Sequence, residues 1–186
     1  MSDEGGGIQA GLECEASLKA ILKSQYHAGL AMVRQAVELY PDEWWYDDTS
    51  VNAAWQLAYH TLFFTHLYLQ PSLEDFVPWD GQQNDVQYPD AIPGPPKPDS
   101  DLPLLPEPYS REEALAYWRV CDDMIDACVD ALDIWSAQSG FYWYRVSKLE
   151  HQLINIRHLQ HGAAQLADRL RAAVNFGVKW VGAAGR

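Results

Sequence analysis

The sequence predicts an all-α fold, a single domain organised as a four-helix bundle. Apolar residues recur at steps of three and four in separate segments, which is the spacing of helices that bury one face. Ten of the eleven prolines lie within residues 71–109, so one long crossover is expected between the second and third helices. A chain of 186 residues that is 48% hydrophobic is long and apolar enough for one packed core.

Charge and composition exclude several classes of partner. The net charge of −13 opposes the basic face that nucleic-acid binding requires, and it disfavours anionic lipid surfaces. No uncharged apolar run approaches the roughly 20 residues of a membrane span. The three cysteines are odd in number and lack CxxC spacing, and the N-terminal residues lack the features of a secretory signal, so a cytoplasmic location is predicted.

The first helix follows an N-terminal segment that is expected to be flexible. Residues 1–12 are rich in glycine and acidic side chains, so the folded domain is predicted to span residues 13–186. Pro41 ends the helix. Its apolar positions are Leu18, Leu22, Tyr26, Leu30, Val33, Val37 and Tyr40.

The second helix, from about residue 50 to residue 70, is apolar around most of its circumference. Such a helix is covered on more than one side, so it lies at the centre of the bundle or within a subunit interface. It carries His60 and His66, and both imidazoles are therefore expected in apolar surroundings.

The crossover at 71–109 is predicted to lie across the bundle as an extended connector, with Phe76, Trp79 and Tyr88 pinning it down. Its proline-rich pieces are also compatible with a ligand for a polyproline-binding module, a less favoured interpretation. Length alone marks this segment as unusual inside a compact domain.

The third helix begins with the capping box of Ser110 and Glu113 and is expected to continue to about Ser139. Its seam consists of Ala114, Trp118, Cys121, Ile125, Cys128, Leu132 and Trp135. The opposite face carries Asp122, Asp126, Asp130 and Asp133, for which a solvated acidic surface is favoured over a metal or acid–base site. The fourth helix is predicted over 147–174, with Leu149, Leu153, Ile156, Ala163 and Leu170 on its apolar face.

Histidines are the most informative chemical feature, because buried imidazoles on facing helices are how bundles build transition-metal sites. The stretches AWQLAYHTLFFTHLYL in the second helix and NIRHLQHGAAQL in the fourth, with the long break between them, resemble the DinB/YfiT-like superfamily. That resemblance covers most of residues 15–180. It implies a four-helix bundle, often a homodimer, that holds zinc or nickel and in some relatives uses low-molecular-weight thiols such as mycothiol, bacillithiol or glutathione.

The family's metal ligands can be placed on this chain residue by residue. The helix-two ligand falls on His60 and the first ligand of the helix-four HxxxH pair falls on His158. The second position of that pair is Gly162, so the implied site is incomplete. His161 is the remaining candidate for a third ligand, although a step of about 100° per residue turns it away from residue 162.

Two functions follow as expectations. The first is a DinB-like protein with a small-molecule pocket in its core and an incomplete divalent-metal site at His60, His158 and His161. Such a protein would act in thiol transfer or hydrolysis, and the absence of a side chain at Gly162 would leave one side of the metal open. The alternative is a non-enzymatic binding or scaffold bundle that has lost the metal site and presents a dimer or partner interface. His66 and His151 are expected to have structural or interface roles, and His27 is a candidate to line the cavity without ligating a metal.

Overall fold

A computed structural model describes residues 4–47, 49, 52–83, 86–88 and 107–184, with side chains from Gln9 onward. These residues form helices and connecting segments and contain no strand, which confirms the all-α prediction. The helices are α1 Glu4–Leu39, α2 Asp42–Trp45, α3 Ala54–Leu69, α4 Arg111–Ala131 and α5 Lys148–Val174.

The four long helices pack in a closed order. Helix α1 packs against α4 and α5, and α3 packs against the same two helices from the other side. Apolar side chains from all four meet in the middle, and those without any exposed surface include Leu30, Leu62, Ile125 and Leu159. Within the described part of the chain, no helix combines the length and apolar character that a bilayer crossing would need.

Helix α1 buries the predicted stripe along its C-terminal half. Every position of that stripe from Leu22 to Tyr40 is buried, and Leu18 packs against the edge of the core. The helix begins at Glu4, so it runs through part of the segment expected to be flexible. Leu12 is 60% exposed, which means that backbone hydrogen bonds, rather than core contacts, support this first part.

Helix α3 is the most enclosed element of the fold. Thirteen of its sixteen residues are buried, because α4 and α5 cover it on two sides and the start of the crossover covers a third. The all-round apolar pattern therefore marks a central helix within this chain.

Aromatic residues hold both described ends of the crossover against the helices. Trp79 stacks on Tyr117 with ring centroids 4.6 Å apart, and Phe76 contacts the ring of His66 at 5.0 Å. Where the chain returns, the Tyr109 hydroxyl donates to the Gly81 carbonyl and accepts from the backbone of Gln83. The proline runs at 93–98 and most of 102–108 lie outside the described residues.

Helix α4 begins as predicted and ends earlier. The Ser110 side chain accepts from the Glu113 amide and the Glu113 carboxylate accepts from Ser110, which forms the expected capping box. The helix stops at Ala131, eight residues before Ser139, because Leu132 adopts an extended conformation. Trp135 therefore does not continue the helical seam and is 56% exposed.

The acidic face of α4 is mostly exposed, as predicted, and basic side chains of α1 form ion pairs with part of it. Lys23 lies 2.8 Å from Asp130, and Nδ1 of His27 lies 2.7 Å from Asp122. The partners come from a different helix and so were invisible in the α4 pattern. Because these pairs are partly exposed, each contributes at most about 1 kcal/mol to stability.

Helix α5 begins after the N-cap Ser147 and extends over the predicted range, and four of the five predicted apolar positions are buried or pack against the core. Leu153, placed on the apolar face by its spacing, is 51% exposed. The residues that point into the core in the first half of α5 are His151, Gln152 and Asn155. The interior of this helix is therefore polar for two turns before Leu159 restores apolar packing.

Candidate metal centre

The antiparallel packing of α3 and α5 brings His60 and His158 together. Gln152 Nε2 donates to the Tyr68 carbonyl, and one turn later Asn155 Nδ2 donates to the Thr65 carbonyl. Along this interface the residue numbers rise on α5 as they fall on α3, because the two helices are antiparallel. Continued by one further turn, this register places His158 opposite His60.

The two imidazoles face each other edge to edge. Their Nε2 atoms are 3.0 Å apart, the ring centroids are 4.9 Å apart, and the ring planes meet at 59°. Phe64 contacts both rings, at 5.0 Å from His60 and 5.5 Å from His158. An aromatic wall therefore limits water access on one side of the pair.

The crossover fixes the orientation of the His60 ring. Nδ1 of His60 lies 2.7 Å from the carbonyl oxygen of Gln87. Because a carbonyl oxygen can only accept, Nδ1 carries the proton, and in the neutral ring Nε2 presents its lone pair toward His158. Val86, the residue before, is fully buried and anchors this carbonyl.

Only one of the two ring nitrogens of His158 has a hydrogen-bond partner. With both rings neutral, its Nε2–H donates to Nε2 of His60, and its Nδ1 is buried without a hydrogen-bond partner. Burial, together with the charges of His60 and His161, lowers the pKa of His158 to about 4. The ring is therefore neutral near pH 7, which is the form that ligates metal ions.

The spacing of the two Nε2 atoms fits a shared divalent cation. At metal–nitrogen distances of about 2.05 Å, a separation of 3.0 Å corresponds to an angle of about 94° at the cation. Tetrahedral coordination would need a separation of about 3.3 Å, a shift of a few tenths of an ångström. Among the described residues, no group of three or more His, Cys, Asp or Glu side chains is placed to hold a metal ion. The pair therefore fits a cation as two ligands of an incomplete set.

Gly162 does not leave an open side, contrary to the expectation from sequence. A Cβ atom built on Gly162 would lie 2.0 Å from Oγ1 and 2.7 Å from Cγ2 of Thr61. Thr61 is completely buried and donates to the Leu57 carbonyl, so its side chain is fixed there. The helices approach too closely at this point for any side chain at position 162.

The third predicted ligand, His161, lies on the outside of α5. Its side chain is exposed, and it is near enough to His158 for its charge to lower the pKa of that ring. The outward position of His161 agrees with helix geometry, since a step of about 100° per residue turns residue 161 away from residue 162. Metal ligation by His60, His158 and His161 remains a prediction, and the structure brings together the first two.

The remaining histidines have other surroundings. His66 is buried, with Nδ1 3.1 Å from the Tyr117 hydroxyl, and burial lowers its pKa to about 4. His151 is completely buried among the rings of Tyr68, Phe141 and Tyr144, and neither of its nitrogens has a hydrogen-bond partner. Burial, then the neighbouring charge of Lys148, lowers its pKa to about 4.

One group at the histidine pair was missed by sequence reasoning. It is the Gln87 carbonyl, which no side-chain pattern could reveal because it belongs to the backbone of a long connector. Asn155, three residues before His158, lies on the same face of the helix by its spacing, and the structure shows that its side chain is buried.

Two clefts lined by described residues lie away from the histidine pair. One of about 610 Å³ opens between the start of the crossover and the α4–α5 connection, where Phe141, Tyr144 and Arg145 border it. Another of about 550 Å³ lies beside α1 and α4, at His27, Arg34 and Trp118. A small-molecule pocket in the core beside His60 remains a prediction.

Comparison with known proteins identifies no relative. No family model, no curated protein and no solved structure matches this chain at a significant level. The DinB-like resemblance thus rests on the residues of the second and fourth helices alone.

Proposed function

We propose that this chain is a DinB-like four-helix bundle whose His60–His158 pair binds one divalent transition metal, zinc or nickel, in an incomplete site. The observation that carries the proposal is the approach of the two Nε2 atoms to 3.0 Å across the α3–α5 interface. A small molecule, for which a low-molecular-weight thiol is the leading class, completes the coordination. The protein acts in thiol transfer or hydrolysis and functions as a homodimer in the cytoplasm.

Three features of the pair support this proposal over a purely structural role. The Gln87 carbonyl holds His60 in the tautomer that a ligating imidazole needs. The lowered pKa of His158 keeps its ring neutral at pH 7. No described acidic side chain forms an ion pair with His158, so the ring is not committed to a salt bridge.

The chemistry of such a site follows from its open coordination. A divalent cation holds a thiol in its thiolate form or lowers the pKa of a water molecule, and both create a nucleophile at neutral pH. The chain itself contributes the two imidazoles and the Phe64 wall, which limits access of bulk water to the pair.

Metal binding by matched histidine variants tests the proposal. Protein stripped with a chelator is titrated with zinc ion alone, in competition with a chromophoric chelator. Wild type is expected to bind about one equivalent, and His158→Ala to lose more than the roughly 10–100-fold that an outer-shell change costs. His161→Ala is the control, because it removes an exposed imidazole from the same helix and leaves the pair intact. Equal affinities of these two variants, or no binding by wild type, would contradict the proposal.

A non-enzymatic scaffold is the second candidate, and exposed aromatic residues favour it. Tyr142 and Trp180 are more than 70% exposed, and Trp143 beside Tyr142 is 40% exposed. Aromatic residues are enriched at protein interfaces. Protein that stays free of metal under metal-replete expression, yet remains folded, would favour this role.

A further inference from the structure

Two buried polar atoms next to the candidate metal centre lack partners, and they lie one turn apart on α5. Nδ1 of His158 and Oδ1 of Asn155 each have essentially no exposed surface and no hydrogen bond. Buried polar atoms without partners are uncommon, and each lowers the stability of the fold. Two such atoms on adjacent turns of one helix need a common explanation.

The orientation of the Asn155 amide follows from its other contact. Its Nδ2 donates to the Thr65 carbonyl at 3.2 Å, and a carbonyl oxygen can only accept. The amide nitrogen must therefore face α3 at Thr65, which leaves Oδ1 as the free acceptor. Side chains three residues apart on a helix have Cβ atoms about 5–6 Å apart, so Oδ1 is within rotamer reach of the His158 ring.

When both rings are neutral, two buried acceptors lie one turn apart on α5. With neutral rings, the proton of His158 is on Nε2, where it is donated to His60. Nδ1 of His158 is then a lone-pair acceptor, and Oδ1 of Asn155 is also an acceptor, so neither satisfies the other. Neither atom has a hydrogen-bond partner in the structure.

Ligation reverses the tautomer of His158. An imidazole that ligates through Nε2 and stays neutral must carry its proton on Nδ1, and ligating histidines almost always donate that proton to an outer-shell acceptor. His60 already has its acceptor in Gln87, whereas His158 has none.

We propose that Asn155 is the positioning residue of the metal centre, whose Oδ1 accepts the Nδ1 proton of His158 when that ring ligates a divalent cation. This inference rests on the proposed function. It gives His158 a named hydrogen-bond acceptor. Each ligating ring then donates its Nδ1 proton to a fixed oxygen, His60 to the Gln87 carbonyl and His158 to Oδ1 of Asn155.

Zinc affinity of Asn155 variants tests the inference. Asn155→Leu removes the acceptor at similar volume and is expected to weaken zinc binding about 10–100-fold. Asn155→Asp keeps an oxygen acceptor and is expected to restore the affinity. The matched control is Gln152→Leu, which removes another buried amide of the same helix face, one that bonds Tyr26 and Tyr68 and not His158.

A second measurement needs no variant. In zinc-loaded wild type, ¹⁵N spectra of the ring nitrogens are expected to show His158 protonated at Nδ1, with a slowly exchanging proton close to the Asn155 side chain. In the zinc-free protein the proton is expected on Nε2.

The outcomes separate the two proposals. Wild type that binds no zinc overturns the proposed function and this inference with it. Zinc binding that is equal in wild type and Asn155→Leu, or weakened equally by Gln152→Leu, overturns the inference alone. A His158 Nδ1 proton that exchanges freely in the zinc-loaded protein does the same.

Discussion

Gly162 occupies the position where the family resemblance calls for a third histidine, and the structure gives it a packing role instead. Its missing side chain lets α3 and α5 approach until Thr61 lies in the space that a Cβ would fill. The two histidines are therefore close because the helices are close. A third ligand at 162 and the observed spacing of His60 and His158 exclude each other.

Substitution of Gly162 by alanine is expected to destabilise the protein. Alanine gains about 1 kcal/mol of helix propensity, but a Cβ at 2.0 Å from Oγ1 of Thr61 forces the helices apart, and overpacking of this kind costs about 1–3 kcal/mol or more. Gly11→Ala is the control, since a Cβ there meets nothing within 4 Å, and it is expected to stabilise slightly. Chemical denaturation measures both, and a Gly162→Ala protein as stable as Gly11→Ala would contradict the close approach.

At the residue scale, the sequence allows prediction of the side chains and not of their partners. His60 and His158 could be selected because two family-like stretches flank a long break, and the structure brings them together. The Gln87 carbonyl and the fixed Thr61 side chain depend on three-dimensional register, which periodicity does not encode. The candidate ligands could therefore be predicted from the sequence, whereas the packing of Thr61 against Gly162 could not.

At the element scale, helix existence was predictable and helix faces were less so. Capping residues Ser110 and Ser147 marked the starts of α4 and α5 correctly, because their side chains satisfy the first free backbone amides. The buried face of α5 was predicted only in part, because His151, Gln152 and Asn155 look like surface residues in a pattern based on hydrophobicity. Their burial depends on hydrogen bonds to α1 and α3 for the two amides and on an aromatic cage for the imidazole.

Tyr109 joins the two described ends of the crossover, and removal of its hydroxyl is expected to loosen them. In Tyr109→Phe, the Gly81 carbonyl and the Gln83 amide each lose a partner, which is expected to cost about 1–2 kcal/mol. Hydrogen exchange is expected to accelerate at residues 81–83 and to stay unchanged in α5. Tyr88→Phe, at an exposed ring, serves as the control, and equal effects of the two variants would contradict the role of Tyr109.

At the scale of the whole molecule, buried neutral histidines couple folding to pH. His66 and His151 have pKa values of about 4 in the folded chain, against 6.5 for an exposed imidazole. The unfolded chain therefore binds more protons between these values, so stability is fully present above pH 6.5 and is lost as the pH falls toward 4. Each group contributes on the order of 3 kcal/mol to this loss at most.

His151 offers the sharpest test of this coupling, because its ring has no hydrogen bond to lose. In His151→Phe the two unpaired nitrogens disappear and the cage of Tyr68, Phe141 and Tyr144 receives an apolar ring of similar size. The free energy of unfolding is expected to be unchanged or to rise by about 1–2 kcal/mol at pH 7, and to fall less steeply than that of wild type between pH 6.5 and 4.

Denaturant titrations of the metal-free protein across this pH range measure the difference, with His161→Gln as the exposed control that should follow wild type. Because Lys148 adds a second positive charge beside the His151 ring, protonation in the folded state is disfavoured twice, by burial and by charge. Parallel pH profiles for wild type and His151→Phe would show that the acid sensitivity of the fold arises elsewhere, with His66 as the next group to replace.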